Sequence, residues 1–230
     1  MSESTLDRRL LLGGMTLAAA AASSAARAQG PAVGAFTPQP LPFDPKAVPG
    51  LSERLLVSHH DNNYVGAVKR LGAIRADFSR LDPATAPGFE INGLKREELF
   101  AWNSMILHEV YFAGLAPSAA PSPALAQAVE RDFGSHQRWA AEFAGMGKAL
   151  GGGSGWVLLT YSPRDARLVN AWASDHSQVL AGGTPLLALD MYEHAYAMDY
   201  GAKAGAYVDA FMKVISWRHA NEAFRRAGVA

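Results

Sequence analysis

The chain has 230 residues, 21 Lys+Arg against 21 Asp+Glu, and no cysteine. Such a charge balance leaves no electrostatic footprint for nucleic acid or for a membrane surface. Without cysteine there are no disulfides and no thiolate ligands, so any metal must be held by His, Asp or Glu.

Residues 1–28 read as an address. Arg8 and Arg9 precede an apolar run (residues 10–12, then 15–22) that is too short to span a bilayer, and Ala26, Arg27 and Ala28 supply an A-x-A cleavage site. An Arg-Arg pair directly before a Gly- and Ala-rich segment resembles a twin-arginine signal, which predicts export of the folded protein, to the periplasm in a bacterial cell. An ordinary signal peptide is the plainer alternative. Cleavage would leave 202 residues with 18 Lys+Arg and 19 Asp+Glu, and no other segment is long enough to cross a membrane. A soluble exported protein is expected, with neither nucleic acid nor membrane as a partner.

Residues 29–50, rich in Pro, Ala and Gly ("PAVGAFTPQPLPFDPKAVPG"), have no apolar period and read as an extended arm. Beyond it, Leu55, Val65, Val68, Leu71, Ile74 and Phe78 recur at roughly helical spacing, with Ser52 as N-cap. "KREELFAWNSMILHEVYFAGL" predicts a second helical stretch, ended by Gly114, and the two form an α-helical hairpin domain over residues 51–118. "SPALAQAVERDF" and "SHQRWAAEFAGMGKAL" predict two shorter helices. After "GGGSG" the runs "WVLLTY", "ARLVNAWAS" and "PLLALDMY" predict three antiparallel strands, and "AGAYVDAFMKVISWRHANEAFRRA" closes the chain as helix. The fold class is α+β, with residues 119–230 as an α+β domain after the hairpin.

"ALDMYEHAYAMDY" places Asp190 and His194 four residues apart. If the chain is helical there, both side chains lie on one face, about 40° apart, as two ligands of one ion require. Alone, the pair reads more readily as a capping Asp and a surface His. His59 or His60, and His108, add to it because each sits on a separate predicted helix in an apolar setting. Three imidazoles and one carboxylate suit iron, manganese or zinc.

Here the sequence resembles the iron/manganese superoxide dismutases over nearly all of residues 29–230. "DMYEHAYAMDY" is similar to the family's D-x-W-E-H-A-Y signature, "ERDFGS" and "GSGW" to two further segments in the same order, and "LHEVYFAGL" to its H-x-x-x-W element. The resemblance implies a superoxide dismutase with one iron or manganese per subunit, superoxide as small-molecule substrate, and a homodimer or dimer of dimers. It makes Asp190, His194 and His108 ligands, and makes Glu193 and Tyr196 residues that reach across a dimer interface. Tyr192 and Phe112 stand where the family has Trp. Where the family sets a Gln beside the metal-bound solvent this chain offers His176, with Gln178 two residues on as a rival, and Ser104 at the family's other Gln position. Tyr64 would hold the outer end of the hydrogen-bond path and gate the approach. Two alternatives stand beside this reading. One is a non-haem iron oxidoreductase with a two-His, one-carboxylate site, if the first helix gives no ligand. The other is an exported relative that keeps the fold and is metal-inert.

The first ligand is the open assignment. The family places it eight residues before the gating Tyr, where this chain has Leu56, but also seven after the Ser, where it has His59. Both counts hold if three residues are missing between ligand and gate. His59 and Tyr64 would then sit roughly 140° apart on a regular helix, which implies a local distortion such as a π-bulge. His60, four before Tyr64, is the rival; if His59 binds, His60 is left to face Tyr196 of the partner subunit or solvent. His136, His219, Trp139, Trp156, Trp172 and Trp217 read as packing or surface residues.

Overall fold

Ser52 starts the first helix as expected: its Oγ accepts a hydrogen bond from the Leu55 N–H and caps α1 (Glu53–Ser58). In this computed structural model, which describes residues 36–115 and 117–228, the chain then passes through a π-turn (His59–Tyr64) directly into α2 (Val65–Arg80). The expected signal over residues 1–28, and the start of the arm, lie outside the described residues. Leu81 ends α2 in an extended conformation, and α3 (Gly88–Ala113) runs back along it. The buried side chains of α2, Ala67, Val68, Leu71 and Ile74, keep the three-or-four spacing of one helical face.

Ser122 and Ser135 cap the next two helices, α4 (Pro123–Phe133) and α5 (His136–Ala149), and a left-handed Gly134 lets the chain turn between them. Three antiparallel strands follow, β1 (Trp156–Ser162), β2 (Arg167–Ala173) and β3 (Thr184–Asp190), in the order β2-β1-β3. β1 is central and buried nearly end to end. β2 lies at an edge, which leaves Trp172 56% exposed rather than packed. A 3₁₀ turn (Glu193–Ala195), the short α6 (Ala197–Tyr200), α7 (Ala204–Val214) and α8 (Arg218–Arg226) complete the fold. One apolar core runs from Leu55 and Leu71 of the hairpin through Leu187 and Leu189 of β3 to Phe211 and Phe224, so the hairpin and the α+β segment share it.

The register decides where chemistry can gather. Trp156 pairs with Ala173 on one side and with Asp190 on the other, so one end of the sheet holds a Trp, the residue before the 174–183 loop, and a carboxylate. Gly155, just before β1, fixes that end. Its φ is +134°, and a Cβ there would lie 2.3 Å from the Ala173 carbonyl oxygen. Its own carbonyl accepts from the Met191 N–H at 2.9 Å, immediately after Asp190. Gly155→Ala is therefore expected to cost about 1–3 kcal/mol, read as a fall in the urea midpoint, and to reduce bound metal because it shifts the end of β3.

Candidate metal centre

Asp190, the last residue of β3, is fully buried, and its two oxygens have separate partners. Oδ1 accepts from the Tyr192 N–H at 2.8 Å, which turns the chain out of the strand. Oδ2 faces three imidazole nitrogens: Nε2 of His59 at 3.1 Å, of His194 at 3.2 Å and of His108 at 3.6 Å. The residues between Asp190 and His194 are not α-helical, contrary to the sequence expectation. The Asp190–Tyr192 hydrogen bond and the 3₁₀ turn bring His194 back to the carboxylate instead.

α3 delivers His108 already oriented. Its Nδ1 donates to the Ser104 carbonyl one turn earlier, at 2.6 Å, so in the neutral ring Nε2 carries a lone pair. Among the described residues that Nε2 is buried with no hydrogen-bond partner, as is Nδ1 of His59, and an orphaned buried polar atom is costly. Burial pushes the His108 imidazole down to about 3 and also lowers His59. For Asp190 burial works to raise the carboxyl, but the hydrogen bonds from His194 and His59 outweigh it and hold the group below the usual carboxylate range.

One ligand atom from each of His59, His108, Asp190 and His194 lies within 4.8 Å of every other. Atoms bound about 2.1 Å from one ion at 90–120° to each other would be roughly 3.0–3.6 Å apart, which is the range of the three distances to Oδ2. The donor set therefore fits a single ion. His194, with 26% of its side chain exposed, is the one member open to solvent, and His59 and His108 lie behind Tyr111, Phe112 and Trp156. Because the first helical segment does supply a ligand atom, the two-His, one-carboxylate alternative loses the condition it needed.

Of the adjacent histidines it is His59 that joins the cluster. His60 turns to the arm, with Nε2 2.8 Å from the Gln39 carbonyl and Nδ1 2.8 Å from Asp61 Oδ1, so it is not left facing solvent. The distortion expected between His59 and Tyr64 is the π-turn itself: the Val65 N–H reaches the His60 carbonyl five residues back. In an i→i+5 turn residues five apart stack on one face, which removes the 140° offset. The Tyr64 hydroxyl accepts from the Gln39 N–H and donates to Glu109, both at 2.9 Å, so it is engaged by the arm and α3 rather than by a ligand.

Tyr196 does not reach outward. Its ring is 2% exposed, stacked on Tyr207, and its hydroxyl accepts from the Gly152 N–H, so it packs within the core of its own chain. Glu193, by contrast, is exposed. His176 stacks on Tyr192 with centroids 4.7 Å apart and lies 6.1 Å from the His108 ring. Asn103 pins its carbonyl to α3 at 2.7 Å. Gln178 caps the loop through the Ser174 N–H and stays exposed. Trp156, expected as a packing residue, donates its Nε1–H to His176 Nδ1 at 3.0 Å. The "GSGW" segment and the pairing of its strand with that of Asp190 were the signals that could have found it. Tyr111 and Tyr207 were missed too: Tyr111 lies against His59, and Tyr207 donates to the Asp190 carbonyl at 2.8 Å.

Fold and site together define a mononuclear metal protein with three imidazoles and one carboxylate held between a helical hairpin and a three-stranded sheet. The family description "Iron/manganese superoxide dismutases, C-terminal domain" matches residues 121–223. A "Superoxide dismutase (Fe)" of Cupriavidus metallidurans is 67% identical over 189 residues, 82% of this chain and 96% of the relative. A "Superoxide dismutase (Mn) 1" of Halobacterium salinarum is 34% identical, over 82% of this chain and 94% of the relative, and a "Superoxide dismutase (Fe)" of Aquifex aeolicus is 34% identical, over 80% and 88%. The chain belongs to the iron/manganese superoxide dismutase family.

The depressed imidazoles make a pH prediction for the metal-free protein. An unfolded histidine takes a proton near 6.5, whereas His108 holds off protonation to about 3. The unfolded state therefore binds more protons between these values, and stability present above 6.5 is lost as pH falls. His108 alone should remove about 2 kcal/mol between pH 7 and pH 5. Urea midpoints of the metal-free protein at the two pH values measure it, and equal midpoints would contradict the burial of neutral imidazoles.

Proposed function

We propose that this protein is an iron-dependent superoxide dismutase that converts two superoxide anions and two protons into dioxygen and hydrogen peroxide. The observation that carries the reading is the buried group of His59, His108, Asp190 and His194, and the 67% identical relative named for iron favours iron over manganese. His59, His108, Asp190 and His194 would hold a redox-active ion, which would supply one-electron chemistry when bound.

What the chain contributes is binding, screening and a hydrogen-bond donor. Neutral imidazoles and one carboxylate bring a single negative charge, so a loaded site retains positive charge that attracts a small anion. Tyr111, Phe112 and Trp156 keep bulk water from His59 and His108, leaving approach on the side of His194. An indole N–H can only donate, so His176 accepts from Trp156 through Nδ1, and burial lowers the ring's basicity. The neutral ring then carries its proton on Nε2, giving a donor beside the pocket that adds no charge. The tie from Asn103 and the stacking on Tyr192 hold that ring in place.

The wider reading is an exported homodimer or dimer of dimers, with exposed Glu193 at the subunit contact and residues 1–28 as a twin-arginine-type signal directing it to the periplasm. Support for export comes from the sequence of that segment.

Two measurements test the proposal. Purified protein should hold about one iron per subunit and consume superoxide, and full metal occupancy with no consumption would overturn the assignment. His176→Leu should keep its metal and lose roughly 10–100-fold in activity, whereas Gln178→Ala should match the parent protein. The opposite ranking would move the donor's role to Gln178.

A further inference from the structure

The arm segment "FTPQPLP", residues 36–42, crosses the π-turn in an unusual way. Pro38, Pro40 and Pro42 have no N–H and have a locked φ, which keeps such a segment extended without hydrogen-bond partners of its own. Gln39, between two of them, uses both of its backbone groups on the π-turn. Its N–H donates to the Tyr64 hydroxyl at 2.9 Å, and its carbonyl accepts from His60 Nε2 at 2.8 Å. The Gln39 side chain takes no part, folding back onto the Thr37 carbonyl.

The start of this segment is anchored separately. The Phe36 ring packs edge-on against Trp102 of α3, with centroids 5.8 Å apart, and the Arg75 guanidinium of α2 lies 4.6 Å from the Phe36 ring and 4.0 Å from that of Trp102. Arg75 is itself held by Glu98 of α3. Phe36 is thereby fixed to both hairpin helices, three residues before the point where Gln39 meets the turn.

His60 and Tyr64 lie close together in the π-turn, with ring centroids 5.2 Å apart, and both pack on Phe112, which lies edge-on to the ligand His59 at 5.1 Å. π-turns are rare and short because their hydrogen bonding is poor compared with that of an α-helix. We propose that residues 36–39 are a splint for this turn: the Gln39 backbone cross-braces His60 and Tyr64, and so holds the turn in the one shape that presents His59 to the metal. Gln39 and Phe36 are positioning residues that touch neither metal nor substrate. For its metal readout the proposal rests on His59 being a ligand; its exchange readout does not.

The test uses three variants of the full chain and a control. Gln39→Pro deletes the N–H and keeps the carbonyl, in a stretch whose flanking prolines already hold it extended. Phe36→Ala releases the anchor at the surface, where folding is not at risk. Gln39→Ala keeps both backbone groups. Asp44→Ala, which removes only the cap on the Lys46 N–H further along the arm, is the control. Amide hydrogen exchange in the segment His59–Tyr64, followed by mass spectrometry, should quicken roughly three- to tenfold in Gln39→Pro and Phe36→Ala, the ratio expected for one lost neutral hydrogen bond. Exchange in α4 and α5 should not change. Release of bound metal to excess chelator should quicken by a similar ratio in the same two variants. Gln39→Ala and Asp44→Ala should match the parent in both readouts. Unchanged exchange over His59–Tyr64 in both Gln39→Pro and Phe36→Ala would overturn the splint, as would an effect of Gln39→Ala equal to that of Gln39→Pro. Quickened exchange with unchanged metal release would keep the brace on the turn and overturn its role in presenting His59 to the metal.

Discussion

The Asp190 carboxylate is the point on which the rest of the structure depends. Its Oδ1 holds the Tyr192 N–H and thereby ends β3, while Oδ2 is left to face His59, His108 and His194. The carbonyl of the same residue accepts from Tyr207 on α7, so the main chain is held as firmly as the side chain. Each group that reaches Asp190 comes from a different part of the chain: the π-turn, α3, the turn after β3, and α7. The hairpin and the sheet share one core and also meet at this residue, and the buried charge draws partners from both. Fold and site are therefore a single constraint, and shifting the end of β3 disturbs both.

The surrounding groups are arranged so that each keeps one protonation state. Burial lowers His59, His108 and His176, and raises Tyr111, Tyr192 and Tyr207, so the imidazoles stay neutral and the phenols stay protonated. Their hydrogen-bond directions follow without freedom. Tyr207 donates to the Asp190 carbonyl, the His108 Nδ1 donates to Ser104, and Trp156 donates to His176. These bonds leave the His108 lone pair aimed at Oδ2 and put the His176 proton on Nε2, away from Trp156.

How much of this was legible in the sequence depended on distance along the chain. Asp190 and His194 are four apart, and their residue types and setting gave the pair away, although the route between them is a turn and not a helix. The π-turn was legible as a miscount, because His59 and Tyr64, five apart, cannot share a face of a regular helix. The three strands were visible from their composition, and the edge position of Trp172 was not, since alternation does not tell an edge from a centre. What failed was whatever a distant neighbour decides. Tyr196 looks like an outward residue until Tyr207 and Gly152 are placed beside it, and His60 looks free until Gln39, 21 residues earlier, closes on it. Trp156 reads as core because an indole is mostly apolar surface, and only its one N–H, meeting His176 20 residues on, makes it part of the centre.

The electrostatics of the pocket give the independent reason for a cation. With His59, His108 and His176 held neutral and Tyr111, Tyr192 and Tyr207 held protonated, Asp190 is an ionised group that is itself fully buried. A buried carboxylate is tolerated when hydrogen bonds or an opposite charge compensate it. Oδ1 has its N–H donor, and Oδ2 has His59 and His194 within hydrogen-bond distance, but the third nitrogen it faces, His108 Nε2, has no proton to give as long as Nδ1 donates to Ser104. Two lone-pair donors pointing at each other repel unless something positive lies between them, and a proton between them would have to charge an imidazole that burial keeps neutral. A metal ion would satisfy the carboxylate oxygen and the His108 nitrogen at once, and the His59 and His194 nitrogens with them. One negative charge from the protein would leave a bound divalent or trivalent ion net positive, and net positive charge attracts a small anion.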